Sequence, residues 1–288
     1  MSDFISQTFP AEGPISLSVE QRSGDVEVTA ADTTEVEVRL HPSGPGGDDL
    51  AQRTTVEYRP GALRIKVPRS TTSFVASAEV RASAASVDIV VTVPAGSDAE
   101  VETSSGDVQL TGRFGEVSGR AGSGDLSIES GGDVRVVAGS GDVRIGSCAG
   151  VSAKTGSGEI RIGRVTGGVE LQSGSGGIEV DGPVTDARLS AASGDIGVGT
   201  VAGRLTVKTA SGDITVRRAE EGDITVRAAS GDVTVGLAAG TAAKLDVSSV
   251  TGSVRSDLDA TDAPAASDRT LLLAVKTVSG SVRLHRAG

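Results

Sequence analysis

The chain has 288 residues, 40 of them glycine, a formal net charge of −11 and aromatic residues at only 2%. So acidic a balance argues against a phosphate-binding surface, and hence against nucleic acid as a partner, and it would be repelled by an anionic membrane face. With so few aromatic residues the core must be built from Val, Ile, Leu and Ala, and the β-branched members of that set favour strands. The single Cys148 excludes an internal disulfide and reads as a small, partly buried filler. The opening Met1–Pro10 lacks the basic and apolar segments of a signal peptide, and no run approaches the ~18 apolar residues of a membrane span, so the expected compartment is the cytoplasm.

Residues 1–98 read as β-rich but irregular. Ile15–Val19, Asp25–Thr29 and Glu35–Arg39 alternate apolar with polar, as half-buried strands do. His41–Asp49, rich in Pro and Gly, reads as a loop, and Asp49–Thr54 as a short helical piece. Thr55–Tyr58 and Leu63–Val67 flank Arg59-Pro-Gly-Ala62 and predict a hairpin. Ser70–Ala85 reads as a loop, and Val87–Val93 as a strong strand stopped by Pro94-Ala-Gly96.

From Val101 one phrase recurs, Ser-Gly-Asp followed by Val, Ile or Leu. Its glycines fall at 106, 124, 141, 158, 176, 194, 212 and 231, spaced by 17 to 19 residues. Weaker turns lie half-way, at Gly115, Gly132, Gly150, Gly167, Gly203 and Gly222. After each turn comes an apolar–any–apolar triplet, such as Val108/Leu110, Ile160/Ile162 or Ile214/Val216. Residues i and i+2 share one face of a strand, and so short a strand cannot bury its pair alone. Stacking like units about 4.8 Å apart buries the pairs in a continuous core. The expected fold is therefore all-β, a parallel β-solenoid (β-helix) with about 18 residues per coil, right-handed by the general preference of parallel crossovers. The expected organisation is an N-terminal cap or distorted first coils over 1–98, the regular solenoid over 99–258, and a polar loop with C-terminal capping strands over 259–288.

Function is carried less clearly. The corner acids Asp107, Asp125, Asp142, Asp195, Asp213 and Asp232 form a column that could bind calcium. However, Glu159 and Gly177 interrupt it, and nonapeptide calcium repeats place their Asp differently, so the Asp reads first as a turn residue. The outward residues between the apolar pairs include Arg135, Arg144, Arg161 and Arg188, a candidate strip for a partner, although such residues ordinarily just solvate a sheet face. Register places Arg161 beside Glu179, Glu170 beside Arg188, and Arg144 beside Arg161. Thr206, Thr215, Thr225 and Thr234 are too few for a flat threonine array. His41 and His285 stand apart from any nucleophile motif, and no phosphate-binding or metal-binding signature is present, so neither catalysis nor a cofactor is expected.

Val87–Val108, followed by the repeated Ser-Gly-Asp-Val/Ile, resembles a bacterial family of β-strand repeats of unknown function, itself similar to candidate adhesin-head domains. The resemblance runs from about Ile15 to Leu284. It implies a β-helical fold and no catalytic motif. The expected function is a non-enzymatic scaffold that binds a still unidentified protein. The alternatives are a structural protein that polymerises end to end, and a carbohydrate-active enzyme on a β-helical frame. Light scattering would separate monomer from end-to-end polymer.

Overall fold

The computed structural model describes residues 4–69, 85–258 and 269–287. The chain is all-β, with one short helix among the described residues, and divides into two compact units, 1–141 and 142–288. The expected loop at 70–85 lies almost wholly outside the described residues, as does most of the loop at 259–270.

The first unit holds β1 (Ile5–Pro10), β2 (Ser16–Glu20), β3 (Val26–Ala31), β4 (Glu35–Ser43), α1 (Gly47–Gln52), β5 (Thr55–Arg59), β6 (Ala62–Lys66), β7 (Ser86–Pro94), β8 (Asp98–Ser105), β9 (Val108–Arg113), β10 (Val117–Ser123) and β11 (Leu126–Ala138). They form two ladders. One runs β1-β4-β7-β3-β9-β11, and the other β5-β6-β2-β8-β10-β11. Most of these pairings are parallel, as expected, but β4 is antiparallel to both β1 and β7, and β5 is antiparallel to β6. The predicted loop at His41–Asp49 is corrected: β4 continues through Ser43, because His41, Pro42 and Ser43 pair with Asp88, Val87 and Ser86. The short helix begins two residues earlier than expected, at Gly47. The edge strands β1 and β5 are joined by an aromatic clasp. Phe9 stacks on Tyr58 with ring centres 4.8 Å apart, and the Tyr58 hydroxyl donates to the Pro10 carbonyl. On the outward face, Glu20 of β2 accepts hydrogen bonds from Lys66 and Arg64 of β6, and these cations, Lys66 foremost, hold its carboxyl below the usual range.

The second unit holds β12 (Val143–Thr155), β13 (Ile160–Val165), β14 (Gly168–Ser173), β15 (Ile178–Ser193), β16 (Ile196–Ser211), β17 (Ile214–Ser230), β18 (Val233–Leu237), β19 (Thr241–Ser249), β20 (Val254–Ser256), β21 (Arg269–Ser279) and β22 (Val282–Arg286). Among the described residues all its pairings are parallel. The first ladder runs β12-β13-β15-β16-β17-β18-β22-β20, and the second β12-β14-β15-β16-β17-β21-β19. The apolar triplets stand in register. Ile160, Ile178, Ile196, Ile214, Val233 and Val282 form one buried column, and Leu171, Leu189, Val207, Val226 and Val275 another. Each such side chain contributes about 1.5–3 kcal/mol on leaving water. The half-way corner is not a turn in β15, β16 and β17. The strands run through it with a register shift, as between Val201 and Ala202, so one strand serves both ladders.

Both units break sequence order. β2 and β3 lie between β6/β7 and β8/β9, and β21 and β22 lie between β17/β18 and β19/β20. The capping place expected for the C-terminal strands therefore falls to β19 and β20. Residues 241–256 carry fewer apolar side chains than 271–284, and the richer segment takes the position with a neighbour on each side.

The corner glycines explain the fixed period. Gly24, Gly106, Gly124, Gly194, Gly212, Gly231 and Gly280 have φ between 111° and 145°, where a side chain is strained. A Cβ at Gly106 would collide with the Gly24 carbonyl oxygen, and one at Gly212 with that of Gly194. Each corner thus rests on the backbone of the corner below it. The Gly212→Ala variant should lose about 1–3 kcal/mol of stability by overpacking, read as a lowered urea midpoint. Gly168→Ala, with nothing within 4 Å of the added methyl, should leave the midpoint unchanged.

Candidate functional site

The corner acids come first, because they form the longest repeated set of polar side chains. Each carboxylate leans onto the next corner. Asp25 Oδ1 accepts from the Asp107 amide at 2.9 Å, and Asp107 Oδ1 from the Asp125 amide at 2.9 Å. In the second unit Asp142 accepts from the Glu159 amide at 2.9 Å, Asp195 from Asp213 at 2.8 Å, Asp213 from Asp232 at 2.8 Å, and Asp232 from Ser281 at 2.7 Å. The Asp column is thus a hydrogen-bonded ladder along the corner. It satisfies amides that the bend of the chain takes away from strand pairing. No group of three His, Cys, Asp or Glu among the described residues is arranged to hold a metal ion.

The corners at Gly158 and Gly176 differ. Like Gly141, neither has a positive φ, but here each amide donates to a hydroxyl three residues earlier, Thr155 Oγ1 at 3.1 Å and Ser173 Oγ at 2.9 Å. These are the corners followed by Glu159 and Gly177 in place of Asp. The interruption of the acid column thus has a local structural cause, legible as Thr155-Gly-Ser-Gly and Ser173-Gly-Ser-Gly.

Within the second unit the arginines are not all brought together. Arg135 belongs to the first unit, on β11, where it pairs with Glu116. Arg144 and Arg161 are register neighbours on β12 and β13, while Arg188 lies in the other ladder, on β15. In the second unit their ion pairs run along the strand to the acid two residues earlier: Arg144 to Asp142 at 2.7 Å, Arg161 to Glu159 at 2.8 Å and Arg188 to Asp186 at 3.9 Å. Arg161 and Glu179 do stand side by side, as do Glu170 and Arg188, but the guanidinium groups turn to these nearer carboxylates. Local geometry answers part of each positive charge, so a continuous basic strip does not form. His41 lies on β4 with its ring 5.6 Å from that of Phe4, and His285 lies on β22.

A cleft in the second unit is the feature that composition and period did not reveal. Its volume is about 680 Å³, and its walls include Glu159, Glu179, Asp195, Asp213, Thr215 and Arg217. Two glycines open it. Gly177 removes the corner acid, and Gly197 removes the outward side chain between Glu179 and Thr215. Across the gap left by Gly197, Arg217 of β17 reaches over β16 to pair with Glu179 and, at 3.2 Å, with Asp181. The sequence signal was Ile196-Gly-Val-Gly-Thr200, where two outward positions in a row lack a side chain.

The corner ladder predicts different outcomes for two substitutions. Asp213→Asn keeps an oxygen for the Asp232 amide and should hold most of the stability. Asp213→Ala removes it and should lower stability by about 0.5–1.5 kcal/mol in urea unfolding. Neither variant should make the melting temperature depend on calcium.

No curated protein matches the chain. Among solved structures, a candidate adhesin from Bacteroides fragilis aligns over 99% of this chain and 98% of its own, with 13% identity and a TM-score of 0.35. A candidate lipid-binding protein from Parabacteroides distasonis aligns over 98% and 96%, with 12% identity and a TM-score of 0.42. A candidate adhesin from the same organism aligns over 98% and 97%, with 12% identity and a TM-score of 0.33. The sequence itself matches a family model over residues 15–287, and on that evidence the chain belongs to the Toastrack DUF4097 family.

Proposed function

We propose that this protein is a non-enzymatic scaffold that holds a protein partner, adhesin-like in that sense, and that each unit winds as a right-handed parallel β-solenoid. The observation that carries the reading is the cleft between β15, β16 and β17. It is a hollow in an otherwise regular face, lined by Glu159, Asp195 and Asp213, with the Arg217 bridge closing one side. Hydrogen-bonded ladders hold its walls in place, so ordering them on binding costs little. Its carboxylates, on a chain of net charge −11, suit a Lys or Arg side chain from a basic segment of the partner.

The test is affinity capture from the native cell with the wild-type chain and with Gly197→Lys in parallel. The substitution fills the cleft and adds a cation, and the group it meets is the flexible end of Glu179 rather than backbone. A captured protein retained by wild type and lost by Gly197→Lys, with thermal melts matching, is the expected result. Equal capture by both chains, or no protein captured by wild type, would sink the proposal.

A further inference from the structure

The outermost rung of the second unit, β19 and β20, is finished differently from the others. Along one core column Ile224 is 0% exposed and Leu273 1%, but Leu245 on β19 is 40% exposed. Val254 on β20 is 47% exposed, and Val250 between the two strands 76%. Among the described residues β19 pairs only with β21, so its other edge presents unpaired backbone groups beyond Thr241, whose carbonyl accepts from Arg286. Exposed apolar core positions beside an open edge invite a further strand.

The sequence of β19 says which strand fits. β19 is nine residues long, Thr241–Ser249, and Leu245 is its midpoint. If a second β19 runs antiparallel with the two Leu245 residues opposite each other, the strands overlap over their whole length. Lys244 then faces Asp246 of the second copy, and Asp246 faces its Lys244. Ala243 meets Val247 on the core side. The charges and the apolar positions are self-complementary in that one register, and a shift by one residue puts Lys or Asp against the core side. A two-fold arrangement requires such self-complementarity, because one patch must serve both copies. β20 has no such self-complementarity, because Arg255 at its centre would meet its own copy in the matching register. In the first unit, by contrast, the edge strands β1 and β5 carry the Phe9–Tyr58 clasp.

We propose that two copies of this chain associate through antiparallel pairing of their β19 strands, forming a closed dimer rather than a filament. The proposal is independent of the cleft and of any partner held there.

Light scattering on the full chain across a range of concentrations should give twice the monomer mass. Lys244→Asp and Asp246→Lys each place like charges opposite one another and should weaken the dimer about ten-fold or more. Mixing the two single variants places opposite charges together again and should restore dimers that neither forms alone. The double variant K244D/D246K should also dimerise, which keeps the test valid if a single variant folds poorly by circular dichroism. A wild-type chain that stays monomeric, a dimer indifferent to both single variants, or a mixture that does not re-form dimers would overturn the proposal. So would assemblies that grow with concentration.

Discussion

The close approach of one corner to the next governs the rest of this structure. Gly212 lies over the carbonyl of Gly194, Gly231 over that of Gly212, and Gly280 over that of Gly231. A side chain at any of these points would force the rungs apart. With the corners seated, the triplets that follow them arrive in register without further instruction, and Ile196, Ile214, Val233 and Val282 close one buried column. The Asp after each glycine then has its neighbour's amide within reach. Packing and hydrogen bonding both follow from a spacing that only glycine permits.

Much of this was legible in the sequence, because it depends on local rules that repeat. The glycine period gave the rungs, and the apolar triplets gave the core. The parts that escaped are those where the rule is broken by distant contacts. Nothing local says that Val26 will pair with Val108 on one side and Ile89 on the other, or that Leu273 will sit between Ile224 and Leu245. The run of β4 through Pro42 likewise depends on Val87, far along the chain. Competition between segments for the inner places decides these pairings, and a periodicity cannot rank the competitors.

The candidate site shows the same division. The Asp residues looked like ligands when counted, and one oxygen of each, Oδ1, accepts from the amide of the next corner. The arginines looked like a strip when aligned, and short-range pairing disperses them. The cleft arises from what is missing, Gly197 and Gly177, and a search for chemistry-bearing side chains passes over positions with none. Regular repeats make such gaps meaningful, since every other rung supplies the standard against which an omission is seen.

The inserted rung also bears on the order of events during synthesis. A ribosome delivers β19 and β20 before β21 and β22, yet β21 and β22 are the strands that join β19 and β20 to β17 and β18. Until residues 269–287 emerge, the edges of β17 and β18 stand open, and the outer rung has no seat. Folding of this end cannot proceed strand by strand from the N-terminus, as a simple repeat array would allow. It needs residues 269–287, so a chain stalled short of them would leave the edges of β17 and β18 open in place of the edge of β19.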